Sequence, residues 1–289
     1  MGTLTNRFIE TLADRENIPE VADEVAEMVT NAPYSPERTG LMAYMYHEGI
    51  GVPVDMDECF RLAEKAAFEG GDGLGYFLLG FMCDNAETPD QAEGGPRQKY
   101  DHYDAERFYE KCMEIDSRWR DPAILWLGDY YMDSAQGGDP DIAVDYYSMI
   151  AENDSEAAGR LSDYYWNLIM PEYLEDEEWE AGLFKWTQIA ARLDPEEYAY
   201  RMGWIYADGL GCEKSYEEAQ EWFQMAYDHG DWRGARAIAT LLEEMMEEND
   251  LSDEDKATCL ETIKQMNRLA DEGHQEEIEN DPDPSEEED

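Results

Sequence analysis

Residues 41–54 read LMAYMYHEGIGVPV and residues 201–214 read RMGWIYADGLGCEK. Each has a small residue (Ala43, Gly203), a tyrosine three places on (Tyr46, Tyr206) and a Gly-x-Gly turn at Gly49/Gly51 or Gly209/Gly211. Downstream stand DECFRLAEKAAFEGG, ending near Gly70, and YEEAQEWFQMAYDHG, ending at Gly230. Counted back from those glycines, offsets of four, eight and eleven give Ala66, Leu62 and Cys59 in one copy. The same offsets give Ala226, Trp222 and Ala219 in the other. Such offsets fall on one face of an α-helix. The unit is therefore a pair of helices joined by a tight reversal, and it occurs at least twice.

The same template fits weaker copies. The small residue of the first helix falls at Ala43, Gly80, Gly128, Ser162, Gly203 and Ala239, each preceded by a bulky apolar residue. The second helix ends at Gly70, Asp116, Asp154, Asp194, Gly230 and Gly273. Small residues let neighbouring helices approach closely, and glycines supply the backbone angles of the reversal. One such hairpin cannot bury its apolar face alone, so neighbours must stack to make a core. The expected fold is all-α, a solenoid of about six helix-turn-helix repeats over residues 36–274. Residues 1–35 are expected to add one or two capping helices, on the apolar series Leu4, Phe8, Leu12, Val21, Val25 and Met28. Residues 275–289, QEEIENDPDPSEEED, are acidic and proline-bearing and are expected to be a disordered tail.

The stretches around both Gly-x-Gly turns resemble Sel-one-like repeats, relatives of the tetratricopeptide repeat. The resemblance is specific in repeats one and five; in repeats two, three, four and six it rests on helix periodicity. It implies a right-handed α/α superhelix and a non-catalytic adaptor or scaffold role in protein complexes. It implies no catalytic residue and no cofactor.

Charge narrows the function classes. The chain has 289 residues, with 21 lysines and arginines against 71 acidic residues, a formal balance of −50. That field repels phosphates, which argues against direct nucleic-acid or anionic-membrane binding and favours a basic protein or peptide partner. A second reading is open: acidic residues occur in every region and arginine outnumbers lysine fourteen to seven, as in lineages whose proteins are acidic throughout. No segment has the length and apolarity of a spanning helix or a signal peptide. The five cysteines form no Cys-x-x-Cys, and their odd number cannot close into intrachain disulfides alone. A reducing, cytoplasmic setting is expected.

No motif for metal binding, phosphate binding or nucleophilic catalysis occurs, and the four histidines (His47, His102, His229, His274) show no ligand spacing. The chain is expected not to be an enzyme. A cell-wall hydrolase, an activity claimed for some relatives, ranks last, behind an acidic mimic that occupies the basic site of a nucleic-acid-binding protein.

In each first helix, the small residue and the positions one before, two after and three after it face the core, and the positions two before and one after it share another face. This face is expected to line the concave groove, as in tetratricopeptide-like arrays. Its candidates are Tyr44, Trp126, Asp129, Arg160, Asp163, Arg201 and Trp204; the leucines there, Leu41 and Leu78, are expected to pack between repeats. Aromatics and arginine are the residue types that most often dominate interfaces. The tyrosine pairs Tyr146-Tyr147 and Tyr164-Tyr165 are read as repeat packing.

Overall fold

The repeat turns show in atomic detail why the two clearest stretches look alike. In the computed structural model, Ser35 accepts a hydrogen bond from the Arg38 N–H at 3.0 Å and Pro36 opens the first helix. Asp194 and Pro195 do the same for the helix of repeat five. Both are side-chain N-caps followed by proline at a position that needs no donor. The helices end at Gly49 (φ 72°) and Gly209 (φ 75°), in the left-handed region that glycine occupies without strain. After each, a backbone N–H returns to the last turn: Asp55 to the Tyr46 carbonyl at 3.0 Å, and Ser215 to the Tyr206 carbonyl at 2.9 Å. The same two residues then cap the second helices, accepting from the Glu58 and Glu218 N–H groups.

The structure describes residues 4–13, 18–85, 100, 102–115, 118–133, 138–167, 177–248 and 251–280. Among them are fourteen α-helices: α1 (Leu4–Ala13), α2 (Ile18–Asn31), α3 (Pro36–Glu48), α4 (Met56–Glu64), α5 (Gly73–Asp84), α6 (His102–Met113) and α7 (Arg120–Met132). There follow α8 (Pro140–Ser148), α9 (Ser155–Asn167), α10 (Glu177–Leu193), α11 (Pro195–Asp208), α12 (Tyr216–Asp228), α13 (Trp232–Glu248) and α14 (Asp253–Asn280). A π-helical turn, Lys65–Glu69, prolongs α4.

Helices pack in consecutive pairs, and the expected six repeats become seven pairs because α1 and α2 form one of their own. The second glycine of each turn explains this. A side chain on Gly51 would collide with Ala22 and Ala26 of α2, and one on Gly211 with Glu180 and Phe184 of α10. Each turn thus seats on the second helix of the preceding pair, and α2 holds that place for the first repeat. At the other end α14 runs to Asn280, so the helix extends into the segment expected as a tail; residues 281–289 lie outside the described residues.

The chain divides into two compact units, residues 1–146 and 147–289. In the first, the core gathers Phe8, Val25, Leu41, Met45, Leu79 and Met82 with the second-helix residues Phe108 and Tyr109. In the second, Phe223, Ile238, Leu241 and Leu242 form one cluster, and Leu183, Met202 and Ile205 another. The small residues do the work their spacing suggested. A Cβ on Gly80 would stand 2.9 Å from the Tyr109 ring, and one on Gly203 would enter the Phe223 ring. Tyr109 and Phe223 lie at the same place in their second helices, so in these two repeats the first helix presents a notch and the second an aromatic wedge. In repeat four the pairing is polar: Ser162 and Thr187, both buried, share a hydrogen bond of 2.8 Å.

Candidate functional site

In the first unit, Tyr44 on α3 is half-buried, its ring edge-on to Phe8 at 5.9 Å and tilted against Trp119 at 6.1 Å. Burial raises its pKa, and the neighbouring Glu48 carboxylate adds to the shift. Trp126 on α7 stacks on Tyr109 at 4.2 Å and on Tyr130 at 5.2 Å. Its indole N–H donates to the Asp84 carboxylate at 3.0 Å, across from the end of α5. Asp129, one turn along α7, is exposed. Leu41 and Leu78 are wholly buried.

In the second unit, Arg201 on α11 and Asp163 on α9 come together in an ion pair of 2.7 Å. The same guanidinium donates to the Ser162 hydroxyl at 2.7 Å and lies over the Trp166 and Tyr198 rings at 5.1 and 5.4 Å. Charge-assisted bonds and two aromatic faces thus fix a side chain that is only 20% exposed. The Tyr198 pKa is raised, by burial first and by Asp163 second, with Arg201 opposing. Arg160 reaches back one turn to Glu156 at 3.2 Å. Trp204 packs edge-on against Phe223 at 5.3 Å and Tyr200 at 6.3 Å, and Arg233 covers the Tyr200 ring at 4.9 Å.

Further aromatics join Trp126. Tyr130 and Tyr131 follow it on α7, and Tyr131 lies nearly parallel to Tyr146 of α8 at 5.8 Å. The Tyr131 hydroxyl donates to Glu106 of α6. The hydrogen bond to Glu106 comes first among the causes that raise the Tyr131 pKa. Burial comes first for Tyr130 and Tyr146, with the Glu106 charge adding to both and Glu110 adding at Tyr131 and Tyr146. The repeat register assigns Tyr130 and Tyr131 to the core, yet both are half-exposed. Adjacent residues of a helix point about 100° apart, so two bulky neighbours cannot both fill one notch. That adjacency was the available signal. The pair Tyr146-Tyr147 divides similarly: Tyr147 is wholly buried and Tyr146 half-exposed.

All five cysteines are in the reduced, thiol form, and burial pushes the Cys112 thiol up to about 12. Among the described residues, no group of histidines, cysteines and carboxylates has metal-binding geometry, and no helix is long and apolar enough to cross a membrane.

Comparison with known proteins places this geometry. The Sel1 repeat profile matches residues 40–70, 121–155 and 197–231, adding repeat three to the two that are clearest by eye. Over 124 residues, 42% of the chain, it is 30% identical to the chitin synthase regulator SKT5 of Malassezia restricta. Over 103 residues it is 32% identical to the protein of that name in Saccharomyces cerevisiae. The matches span only 8% and 14% of those relatives' own lengths. In fold, it resembles a crystallised Sel1 repeat protein from Oxalobacter formigenes (TM-score 0.52, 16% identity, 91% of this chain and 97% of that one). A protective antigen of uropathogenic Escherichia coli with an SLR fold is similar too (TM-score 0.55, 18% identity, 92% of this chain and 62% of that one). With matching repeats in both units and helices packed in consecutive pairs, the chain is a Sel1-repeat protein.

Proposed function

We propose that the chain is a non-catalytic scaffold that binds a protein partner through the exposed faces of its first helices, in a regulatory rather than an enzymatic role. The relatives it matches are named regulators, which supports that class. The observation that carries the reading is the chemistry of these faces: aromatic rings beside carboxylates, in a chain whose formal charge is −50. Such a face suits a basic protein or peptide, which the field attracts and the rings hold. Tyr44, Trp126 and Asp129 offer it in one unit; Arg160, Asp163, Arg201 and Trp204 offer it in the other. Reduced thiols and the absence of any paired-cysteine spacing support a reducing, cytoplasmic setting.

The test is capture of partners on the full chain at two salt concentrations, followed by titration of the identified partner. Binding is expected to weaken as salt rises. It is also expected to weaken when Trp204→Ala or Asp163→Ala is introduced. Equal affinity for both variants and the unsubstituted chain would remove the second unit's face from the reading.

A further inference from the structure

The constellation around Arg201 shows what this chain does with a guanidinium: a carboxylate pairs with it, and two aromatic rings take its faces. The aromatic and acidic parts of that arrangement recur in the first unit. On α6, α7 and α8 they are the Tyr130, Tyr131 and Tyr146 rings, with Glu106, Glu110 and Asp84 beside them. Among the described residues, no lysine or arginine forms an ion pair with Asp84 or Glu106 or lies over the Tyr131 and Tyr146 rings; Lys111, paired with Glu114, also feels the Glu110 charge. The chain's other cation–ring contacts join its own residues, as with Lys65 and Tyr34, Lys185 and Trp186, and Lys214 and Tyr216.

Two features tune the face for a cation. Asp84 accepts from the Trp126 indole and Glu106 from the Tyr131 hydroxyl, and a ring that donates to a carboxylate gains electron density on its faces. Each carboxylate keeps further lone pairs for a second donor. Behind the face, the wholly buried Tyr109 hydroxyl finds no hydrogen-bond partner among the described residues, and its ring backs Trp126. Burial and the nearby Asp84 charge both raise its pKa, which keeps the phenol neutral. The base of the face is therefore rigid and uncharged, and its outer layer is negative and aromatic.

We propose that this face of α6, α7 and α8 docks an arginine-bearing segment of the partner protein, its guanidinium lying on the tyrosine rings and paired with Glu106. The inference rests on the scaffold reading above and adds the site and the residue it receives. Arginine fits better than lysine because its planar group stacks on rings while its fork meets a carboxylate.

The test is a fluorescence-anisotropy titration of the full chain with a labelled peptide of alternating arginine and glycine, at moderate salt. Peptides with lysine or asparagine in place of arginine serve as comparisons. The arginine peptide is expected to bind several-fold more tightly than the lysine peptide, and the asparagine peptide not at all. The double variant Tyr131→Leu/Tyr146→Leu, which leaves net charge unchanged, is expected to lose about tenfold in affinity. Glu106→Gln, which keeps every ring, is expected to lose about fivefold. A control that removes two exposed carboxylates of α12, Glu217→Gln/Glu221→Gln, is expected to change binding less than twofold. Equal weakening by every charge-removing variant, with none from the leucine pair, would overturn the site and leave the scaffold reading standing. Failure of the unsubstituted chain to bind the arginine peptide would overturn the site and the basic partner with it. Should Tyr131→Leu/Tyr146→Leu unfold by circular dichroism, Glu106→Gln against the α12 control decides.

Discussion

Trp126 and Arg201 stand at the same place in their repeats, two residues before the small residue of a first helix, and the two units use that place differently. In repeat five the position holds a cation that the chain itself satisfies: Asp163, Ser162, Trp166 and Tyr198 all engage it. In repeat three the position holds an aromatic ring, bonded to Asp84 and continued outward by Tyr130, Tyr131 and Tyr146. At Arg201 the cation is met within the chain, whereas the place of Trp126 keeps carboxylates and rings toward solvent. A repeat scaffold can therefore keep its plan of paired helices while a few side chains turn a structural contact into a surface for something else.

The deepest way to break the comparison is to remove what both places stand on. Phe223 fills the notch at Gly203 below Arg201, as Tyr109 fills the notch at Gly80 near Trp126. Phe223→Ala is expected to cost about 4 kcal/mol, read as a lower urea midpoint, because a wholly buried ring leaves a cavity between two packed helices. Next in size is Arg201→Met, which keeps the stem and removes the charge. It leaves Asp163 without its ion pair and Ser162 without that donor, at a cost of about 2 kcal/mol. Asp163 is 42% exposed, so water compensates part of the loss and the figure stays below that of a fully buried pair. A urea midpoint unchanged by Arg201→Met would mean that the second unit's face is not held from within.

The contrast between units also marks what the sequence makes legible. Gly49, Gly51, Gly209 and Gly211, with their capping Ser35 and Asp194, are local signals whose physics lies within a few residues, and the turns follow them closely. The ion pair of Arg201 with Asp163 joins two flagged residues, but nothing in their spacing says that they meet. The wedges Tyr109 and Phe223 went unread because they match notches across turns of unequal length, where a fixed count from the first helix fails. The apolar series from Leu4 to Met28 reads as one or two capping helices, but no Gly-x-Gly turn in it marks α1 and α2 as a seventh pair; that shows where Gly51 meets Ala22 and Ala26. The register puts both Tyr130 and Tyr131 in the core, although a notch admits one large side chain.

The two wedges offer a smaller, sharper test. Phe223 is an apolar ring in its notch, whereas Tyr109 carries a buried hydroxyl with no partner among the described residues. A buried polar group left unbonded costs free energy, so removing it should do no harm. Tyr109→Phe is expected to be neutral or to stabilise by up to about 1 kcal/mol in the same urea experiment. A loss above that size would show that the hydroxyl is bonded in solution, and would weaken the view of Tyr109 as an inert base for the aromatic face.

The smallest effect concerns a carboxylate that, unlike Asp163, is satisfied by backbone and not by arginine. Asp72 caps α5, accepting from the Gly75 N–H at 3.1 Å, and lies close behind Gly40. Burial raises its pKa; the Gly75 and Leu74 N–H groups oppose the shift and the Glu37 charge reinforces it. A carboxyl whose folded pKa exceeds its unfolded value binds its proton more tightly in the folded state. Its contribution to stability is therefore full below the unfolded value near 3.8 and is lost as pH rises through the raised folded value. The self-repulsion of a chain at −50 acts in the same direction, since it too grows with pH. The urea midpoint is thus expected to rise on mild acidification from neutral pH. Asp72→Asn keeps an acceptor for the cap and removes the buried charge, so it should flatten the slope by the share that Asp72 holds. An unchanged slope would assign the whole pH dependence to the surface carboxylates, and with it to the field that the exposed aromatic face is argued to use.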